Sequence, residues 1–403
     1  MKVTIKKGIA KGTIKVPPSK SYAHRALIMG MLAKSNTSIS NISYSNDILA
    51  TLNAIKMLGS NVAINDDTIS FNGFVNIDDI PTLDANESGS TLRFLIPVSM
   101  VLYDHFIIKG TEKLFSRGLG IYEDIFKSQN ITYKLDSTSL EVFNKLNPGT
   151  FTVRGNVSSQ YITGLLMALP LLEQDSVIKI IPPLESKPYI DITLDVLRKF
   201  KINVDVDDNY QTIKIKGNQT YYPINYEVEG DYSNAAFLDA FNYFSGKVLL
   251  KGLAENSCQG DKVYKEYFEK LNEGFATIDL SNAIDLGPVL FVFASLKFGA
   301  HFINTSRLQI KESNRVLDLI EELKKINTET KVFENEVYIY KAQNIHPVTF
   351  DSHNDHRILM ALTLVTTIAG GEIENAEAVN KSYPNFYDDI SKLGIEVIKC
   401  DKN

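Results

Sequence analysis

The chain has 403 residues, of which 44% are apolar and 22% charged, and its formal net charge is −6 at pH 7. This length exceeds what one hydrophobic core usually supports, so we expect two domains of an ordinary globular protein. The acidic balance argues against broad electrostatic binding to nucleic acid or membranes, and no uncharged apolar run reaches the roughly 18 residues of a membrane span. The cysteines, Cys258 and Cys400, have no metal-ligand spacing and indicate neither a disulfide framework nor a zinc site. A cytoplasmic protein is expected.

The first predicted element is a strand, because residues 1–6 alternate in polarity and lack the apolar core of a signal peptide. Behind it, small polar or charged clusters open into apolar helical stretches at intervals of roughly 70 residues. The clusters are 19–21, 87–90, 158–160, 231–233, 285–287 and 354–357. The apolar stretches include 26–32, 92–102, 162–172, 235–241, 289–296 and 358–368. Serine and aspartate cap helices there, and the N–H groups of a helix start attract anions.

Short strand-like runs lie between these helices. They are 61–64, 68–71, 106–109, 176–181, 212–216 and 247–251. The pattern predicts a repeated unit of helices and short strands, with three repeats before about residue 228 and three after it. The strand at the N-terminus is compatible with either half. Pro97 and Pro170 fall inside predicted helices, where we expect bends or early ends.

Two segments concentrate cations at predicted helices. In the first, Ser21 and Arg25 are four residues apart and Lys20 lies at the helix mouth, although a capped helix with solvated charges explains the same pattern. In the second, Lys311 and Arg315 are like charges at helical spacing, which mildly destabilises a helix unless an anion lies between them. A solvent-facing polar helix is the alternative for the second segment.

Two further polar segments precede apolar helices. Residues 351–357 suggest a site rather than a single cap, although metal binding is poorly supported because no Cys or Glu ligand stands nearby at helical spacing. Residues 158–160 offer hydroxyls and an amide to a sugar or phosphate, or simply a cap. No dinucleotide-binding, P-loop or serine-hydrolase motif is present.

Together these segments resemble the 5-enolpyruvylshikimate-3-phosphate synthases of the enolpyruvyl transferase family, over essentially the whole chain and in the same order. The matching segments are 17–27, 87–94, 158–166, 185–191, 229–231, 285–288, 310–315, 354–357 and 381–384. The resemblance implies transfer of the enolpyruvyl group of phosphoenolpyruvate to the 5-hydroxyl of shikimate 3-phosphate, with release of phosphate. The implied route is addition and elimination through a tetrahedral intermediate, in the shikimate pathway to chorismate and aromatic amino acids. It implies no cofactor and no metal, and we expect a monomer whose partners are these two substrates.

The fold implied by the resemblance is α/β (α+β), a two-domain inside-out β/α barrel in which each domain has three repeated β/α units with the helices inside. The N-terminal domain would be 19–228 and would bind mainly shikimate 3-phosphate. The C-terminal domain would be 1–18 with 229–403 and would carry the proton-transfer and phosphoenolpyruvate residues. The implied active site lies in the interdomain cleft, which closes on binding.

The resemblance also assigns roles residue by residue. The residues expected around phosphoenolpyruvate are Lys20, Gly89, Arg93, Arg117, Gln160, Arg315, Arg357 and Lys381. Those expected around shikimate 3-phosphate are Lys20, Ser21, Arg25, Ser158, Ser159, Gln160, Ser186, Tyr189, Asp285 and Lys311. The expected catalytic groups are Asp285 for the hydroxyl proton, and Glu312 and Lys20 for the proton at the methylene carbon. How the three divide the proton transfers stays open, because coupled groups titrate together.

Three positions depart from the family pattern. Glu87 stands where the family often has Asn, and Arg307 aligns with a family Asn, so neither is assigned a substrate contact. Ser90 replaces the commoner Thr and keeps its hydroxyl. Gly89 is retained where a bulkier residue would crowd the donor phosphate, which predicts sensitivity to glyphosate.

Three other functions are weighed against this interpretation. The sister transferase acting on UDP-N-acetylglucosamine typically uses a reactive cysteine in its first domain, whereas both cysteines here lie in the second half. A non-catalytic anion-binding protein would be expected to have lost Lys20, Asp285 or Glu312, which are all present. An RNA-end-modifying enzyme with related β/α units would need an ATP site and a more basic charge.

Overall fold

The computed structural model describes residues 1–400, which form two compact units. Unit N is 18–229, and unit C combines 1–17 with the chain from 230 onward. Among the described residues, no helix combines the length and the apolar character that crossing a membrane requires.

The strands are short and occur throughout both units. In chain order they are β1 (Lys2–Ile5), β2 (Lys11–Lys15), β3 (Ser35–Ser40), β4 (Ser60–Asn65), β5 (Thr68–Phe74), β6 (Thr82–Asp84), β7 (Phe106–Lys109), β8 (Tyr133–Leu135), β9 (Ser139–Val142), β10 (Thr150–Arg154), β11 (Ser176–Ile181), β12 (Val204–Val206), β13 (Thr212–Ile215), β14 (Asn225–Glu227), β15 (Lys247–Lys251), β16 (Ala276–Asp279), β17 (Ala300–Ile303), β18 (Thr330–Val332), β19 (Glu336–Ile339), β20 (Val348–Asp351), β21 (Gly371–Glu374) and β22 (Val397–Cys400). All six runs predicted as strands are strands, which confirms the alternation pattern at those positions.

The helices alternate with these strands. In chain order they are α1 (Lys20–Leu32), α2 (Asn46–Met57), α3 (Gly89–Leu102), α4 (Glu112–Phe115), α5 (Gly120–Ser128), α6 (Ser159–Ala168), α7 (Lys187–Lys199), α8 (Tyr232–Asp239), α9 (Tyr264–Glu273), α10 (Gly287–Leu296), α11 (Arg315–Lys324), α12 (His356–Ala369) and α13 (Phe386–Lys392). Short 3-10 helices are Leu169–Leu171, Ala240–Phe244, Gly260–Val263, Ile284–Leu286, Ser306–Ile310 and Ala376–Lys381.

One pattern of pairing recurs through the sheets. In the sheet ordered β6-β7-β9-β8, the first two strands are parallel and the others join antiparallel. The same arrangement recurs in β10-β11-β13-β12 and in β16-β17-β19-β18. A parallel pair requires a crossover, and α3, α6 and α10 supply it. Each repeat therefore runs strand, helix, strand, helix, strand, strand.

The remaining repeats are completed by strands from distant parts of the sequence. In unit N, β14 pairs parallel with β3, although the two are almost 190 residues apart in the chain. In unit C, β1 lies between β21 and β22, and β2 pairs parallel with β15. The N-terminal segment therefore contributes two strands to unit C, in keeping with the predicted fold class of repeated β/α units, which is confirmed.

The crossover helices form the core of each unit. All ten residues of α10 are buried, and α12 is buried over most of its length and packs against it. In unit N, α3 packs closely on α6. Because the bodies of these helices are apolar on every side, their polar groups are concentrated at their first residues.

The two prolines inside predicted helices have different outcomes. The helix predicted at 162–172 ends early, because α6 stops at Ala168 and Pro170 lies in a 3-10 turn. At Pro97 the helix does not end early, since α3 continues to Leu102, and the bend that was the other expectation stays a prediction. Nearly every residue around Pro97 is buried, and this packing offsets the hydrogen bond that proline removes.

The close approach of α3 and α6 generates a stability prediction. A Cβ added at Gly164 of α6 would lie 2.5 Å from the backbone oxygen of Arg93 and 2.7 Å from the Tyr122 hydroxyl. We predict that Gly164→Ala lowers the free energy of unfolding by about 1–3 kcal/mol, because the two helices must separate. Urea denaturation measures the change. Gly120→Ala in α5 is the matched control, since nothing lies within 4 Å of its Cβ, and equal effects of the two substitutions would contradict the prediction.

Candidate active site

Arg315, the first residue of α11, is buried among three carboxylates of unit C. Its Nε donates to Oδ2 of Asp355 at 2.8 Å and its Nη2 donates to Oε2 of Glu312 at 2.7 Å. Its Nη1 donates to Oδ1 of Asp285 at 3.2 Å. The side chain is 1% exposed, so these acids compensate a charge that is almost wholly removed from water. Burial opposes the charged form, yet the three carboxylates raise the pKa of Arg315 above its ordinary value.

Asp285 stands in the 3-10 turn immediately before α10 and faces three cations. Its Oδ1 lies 3.4 Å from Nζ of Lys311, and its Oδ2 accepts a hydrogen bond from Nη2 of Arg357 at 3.1 Å. Burial alone would raise the pKa of Asp285, but Arg357, Lys311 and Arg315 hold it well below the ordinary value. Asp285 is therefore an ionised carboxylate, able to accept a proton.

Lys311 and Arg315 are not on one helix, so the predicted helical spacing between them is wrong. Lys311 follows the 3-10 turn Ser306–Ile310, and α11 begins only at Arg315. Asn314 caps that helix, since its side-chain oxygen accepts a hydrogen bond from the Leu317 amide. Lys311 in the loop and Arg315 at the helix start thus both contact one carboxylate, Asp285. Its negative charge offsets the repulsion between the two cations.

In the polar segment at the start of α12, Asp355 and Arg357 have different roles. Asp355 is the N-cap, and its Oδ1 accepts a hydrogen bond from the Arg357 amide at 2.8 Å. The Arg357 side chain is directed instead to Asp285. Within residues 1–400 no group of three or more His, Cys, Asp or Glu is placed to hold a metal ion. Lys381 is buried at the end of the 3-10 turn Ala376–Lys381.

In unit N, Arg25 connects three helices through neutral oxygens. Its Nε donates to Oγ1 of Thr193 on α7, and its Nη2 donates to Oγ1 of Thr163 on α6. Further hydrogen bonds reach the backbone oxygens of Ser21 and Tyr189. Burial lowers the pKa of Arg25 to about 10, so it remains cationic at neutral pH. Of the predicted acceptor residues, Ser21 and Tyr189 therefore lie beside Arg25.

Four residues predicted to bind the donor lie together at the start of α3. Nη1 of Arg93 donates to Oε1 of Gln160 at 2.8 Å. A Cβ added at Gly89 would lie 3.0 Å from Nη1 of Arg93, 3.2 Å from Nη1 of Arg117 and 3.4 Å from Oε1 of Gln160. Nε2 of Gln160 also donates to Oγ of Ser90. Two guanidinium groups therefore face the bare backbone of Gly89, an arrangement suited to an anion.

The remaining predicted residues of unit N occupy helix starts. Ser159 is the first residue of α6, and Ser158 is its N-cap. Oγ of Ser158 accepts a hydrogen bond from the Gln160 amide at 3.3 Å. Ser186 precedes α7 with a φ of 58°, a left-handed conformation that a non-glycine residue adopts at some cost. Such strain clusters at ligand sites, so Ser186 stays a candidate.

Lys20 has a partner that the sequence did not suggest. Its Nζ lies 2.7 Å from Oδ2 of Asp47, in the first turn of α2. The only sequence signal at Asp47 is an acidic residue early in a helix, which also occurs for capping reasons alone. Two of the three positions that depart from the family pattern are placed as follows: Glu87 is exposed before α3, and Arg307 donates to the Ser281 backbone oxygen at 2.6 Å.

The sequence also gave no indication of Asp261, a buried acid of unit C. Oδ2 of Asp261, in the 3-10 turn Gly260–Val263, accepts a hydrogen bond from Oγ of Ser233 on α8. Its other oxygen is buried with no hydrogen-bond partner among the described residues. Burial, and next the charge of Asp285, raise the pKa of Asp261 to about 7. Asp261 therefore changes charge near neutral pH.

The protein thus consists of two units of repeated β/α elements, with cations at several of the helix starts. The model of the EPSP synthase family, described as 3-phosphoshikimate 1-carboxyvinyltransferase, matches residues 5–390. A 3-phosphoshikimate 1-carboxyvinyltransferase of Clostridium kluyveri is 41% identical, and the match covers 96% of each chain. One from Clostridium perfringens, strain ATCC 13124, is 39% identical over 98% of each chain.

Solved structures show the same fold. An EPSP synthase from Acinetobacter baumannii superposes with a TM-score of 0.80 at 20% identity, covering 99% of this chain and 100% of that one. A second structure of an Acinetobacter baumannii EPSP synthase gives 0.81 at 18% identity. The chain belongs to the EPSP synthase family, and it is a transferase of the shikimate pathway. The resemblance found in the sequence is confirmed, and the UDP-N-acetylglucosamine alternative is not favoured.

Asp261 generates a prediction about pH and stability. Its folded pKa, about 7, exceeds the unfolded value, so its contribution is fully present below about pH 4 and is lost as the pH rises through 7. We predict that Asp261→Asn, which cannot ionise, raises Tm relative to the wild type more at pH 8 than at pH 5. Glu269→Gln, at an exposed position of α9, is the control. The same difference in Tm at both pH values would refute the assignment of this titration to Asp261.

Proposed function

We propose that this chain transfers the enolpyruvyl group of phosphoenolpyruvate to the 5-hydroxyl of shikimate 3-phosphate and releases inorganic phosphate. One observation carries the proposal beyond family membership. Asp285 is held as a carboxylate by Lys311, Arg315 and Arg357, so a proton acceptor and the cations for anionic substrates occur together. Addition–elimination needs such an acceptor for the attacking hydroxyl.

The proposed acceptor residues lie mainly in unit N. These residues lie at helix starts or beside Arg25, and they are Ser21, Ser158, Ser159, Ser186 and Tyr189. Their hydroxyl and N–H groups can form hydrogen bonds with a sugar-like ring and its phosphate. Four hydrogen bonds to protein oxygens fix the Arg25 guanidinium. We propose that it acts through its uncancelled positive charge and by shaping this surface. Lys20, Gln160, Asp285 and Lys311 complete the proposed set.

The proposed donor residues centre on Gly89. Its backbone N–H, with Arg93 and Arg117, would receive the phosphate of phosphoenolpyruvate, and Gln160 would accept a hydrogen bond from Arg93 while orienting it. Guanidinium groups suit the planar carboxylate and the phosphate oxygens because they offer paired donors. Arg315, Arg357, Lys381 and Lys20 are the further cations of this set.

Substrate charge would then activate Asp285. Lys311 and Arg357 are its direct partners, and anionic substrates would compete with it for the same cations. Each cation drawn toward a substrate lowers the stabilisation of the ionised carboxylate, so the pKa of Asp285 rises toward a useful value for a base. Binding of both substrates would thereby prepare the proton acceptor.

Glu312 and Lys20 are the proposed groups for the proton at the methylene carbon. Oε2 of Glu312 accepts a hydrogen bond from Arg315, which orients the carboxyl group. The ion pair with Asp47 orients Lys20. We propose that both substrates are taken up by a monomer in the cytoplasm, where such multiply charged phosphorylated molecules are retained, with no nucleic acid or membrane as a partner.

Phosphate release tests the reaction. We predict release from phosphoenolpyruvate only when shikimate 3-phosphate is added, and a loss of at least about 100-fold in kcat for Lys20→Met or Asp285→Asn, since each removes a proton-handling or charge-stabilising group. Lys127→Met, an exposed change on α5, is the control. Release with UDP-N-acetylglucosamine would assign the chain to the sister reaction. If folded protein releases no phosphate with either acceptor, the result would support an anion-binding protein instead.

Glyphosate tests the Gly89 site. We predict inhibition that is competitive with phosphoenolpyruvate, and a weaker inhibition of Gly89→Ala because its Cβ would narrow the space beside Arg93 and Arg117. The measurement is the inhibition constant divided by KM for phosphoenolpyruvate. Gly120→Ala, whose Cβ meets nothing within 4 Å, should leave that ratio unchanged. Full activity at saturating glyphosate would contradict the assignment of the donor site.

A further inference from the structure

A buried chain of hydrogen bonds crosses three helices of unit N, and the proposed function does not use it. Nδ1 of His24 on α1 lies 2.7 Å from Oγ1 of Thr51 on α2. That hydroxyl lies 2.6 Å from Oγ1 of Thr91 on α3. Oγ1 of Thr91 donates in turn to Oγ of Ser88 at 2.8 Å. The four residues are at most 1% exposed, so they are removed from bulk solvent.

Counting protons gives the chain a direction. Thr91 has one hydroxyl hydrogen, which it donates to Ser88, so Thr91 must accept the hydrogen of Thr51. Thr51 must then accept from His24, which places the imidazole hydrogen on Nδ1. Burial lowers the pKa of His24 to about 3, which keeps the ring neutral. The chain therefore has one arrangement of donors and acceptors across the physiological pH range.

The last member of the chain is attached to the donor site. Ser88 is the N-cap of α3, and its Oγ accepts from the Thr91 amide as well. The next residue is Gly89, whose backbone faces Arg93 and Arg117. A shift of Ser88 would therefore move the backbone that is proposed to meet phosphoenolpyruvate.

The other end of the chain is attached to the acceptor side. His24 precedes Arg25 in α1, and both side chains contact the ring of Phe94 on α3, with the guanidinium carbon 5.1 Å from the ring centroid. The middle helix, α2, packs against α1 and α3, and one turn before Thr51 its Asp47 holds Lys20. The α2 helix thus links the two helix starts without supplying any proposed substrate ligand of its own.

We propose that His24, Thr51, Thr91 and Ser88 are positioning residues that fix the start of α3 relative to the start of α1. They set the fit of phosphoenolpyruvate, and of analogues that compete for its site. The inference rests on the proposed function for its substrates, whereas the hydrogen-bond chain stands independently of it. Nε2 of His24 already has no hydrogen-bond partner among the described residues. Removing the central hydroxyl of this buried chain takes a further hydrogen bond from each of its two neighbours, which favours a shifted arrangement of the helix start.

Thr51→Val is the informative substitution, because it keeps the shape of the side chain and removes the central hydroxyl. A misplacement of about 1 Å can cost on the order of 100-fold in a positioned site, so for a smaller shift we expect KM for phosphoenolpyruvate to rise about tenfold, with kcat within about twofold. Thr51→Ser, which restores the hydroxyl, should return KM to within about twofold of wild type. Thr37→Val is the matched control, since Thr37 is also buried in unit N and its hydroxyl has no partner among the described residues.

Hydrogen exchange supplies a readout that needs no substrate. The Thr91 amide, which donates to Ser88, should exchange at least about fivefold faster in Thr51→Val than in wild type, and should be unchanged in Thr51→Ser and Thr37→Val. Unchanged exchange in Thr51→Val would overturn the positioning role whatever the activity. Faster exchange with an unaltered KM would mean that these hydrogen bonds only stabilise the fold, and it would also overturn the positioning role. An inactive wild type with the expected exchange pattern would instead refute the proposed function alone.

Discussion

The arrangement of three helix starts of unit C depends on the burial of the Arg315 guanidinium. Carboxylates surround this buried cation closely, and removing one of them would leave its charge less compensated. The acids come from three places: Asp285 precedes α10, Glu312 lies in the loop before α11, and Asp355 caps α12. Satisfying this one side chain therefore fixes three helix starts of unit C together. Arg315 is one of the groups that hold Asp285 in position, and the ionised state of Asp285 follows from Arg357, Lys311 and Arg315 together.

Unit N meets the same architectural need with different chemistry. Arg25 also joins three helices, but its partners are hydroxyl and backbone oxygens, so its charge is not cancelled. Burial then lowers the pKa of Arg25, whereas carboxylates raise that of Arg315. Arg25 is thus held by neutral oxygens, whereas unit C packs buried acids and cations against one another. The same task, joining several helices through one guanidinium, is met in opposite electrostatic surroundings.

Local pattern was sufficient for the crossover helices and for the strand runs that it identified, and insufficient where distant chain segments decide the outcome. The site residues came from the family resemblance, and their roles stay predictions. Apolar periodicity identified the crossover helices, and alternation identified strands such as β7 and β11. The pairing of β1 with β21 and β22 could not be read from either pattern, because it joins the first strand of the chain to two of its last strands. Spacing suggested a helix across Lys311 and Arg315, yet Asp285, far away in sequence, holds both cations outside a common helix. Asp47 and Asp261 were missed because a single acid early in a helix has no distinctive spacing.

The repeat itself explains why chemistry gathers at helix starts. A crossover helix that is buried on all sides, such as α10, has no exposed face on which a polar group could be useful. Its first turn is the exception, since the unpaired N–H groups there require acceptors and favour negative charge. Polar side chains at these positions therefore satisfy the backbone in the free protein and can exchange that role for a bound anion. In such a fold, the capping residues occupy the positions at which an anion could bind. The buried hydrogen bonds of Arg315 in unit C and of Thr51 in unit N connect those positions, so a change at one helix start can affect another.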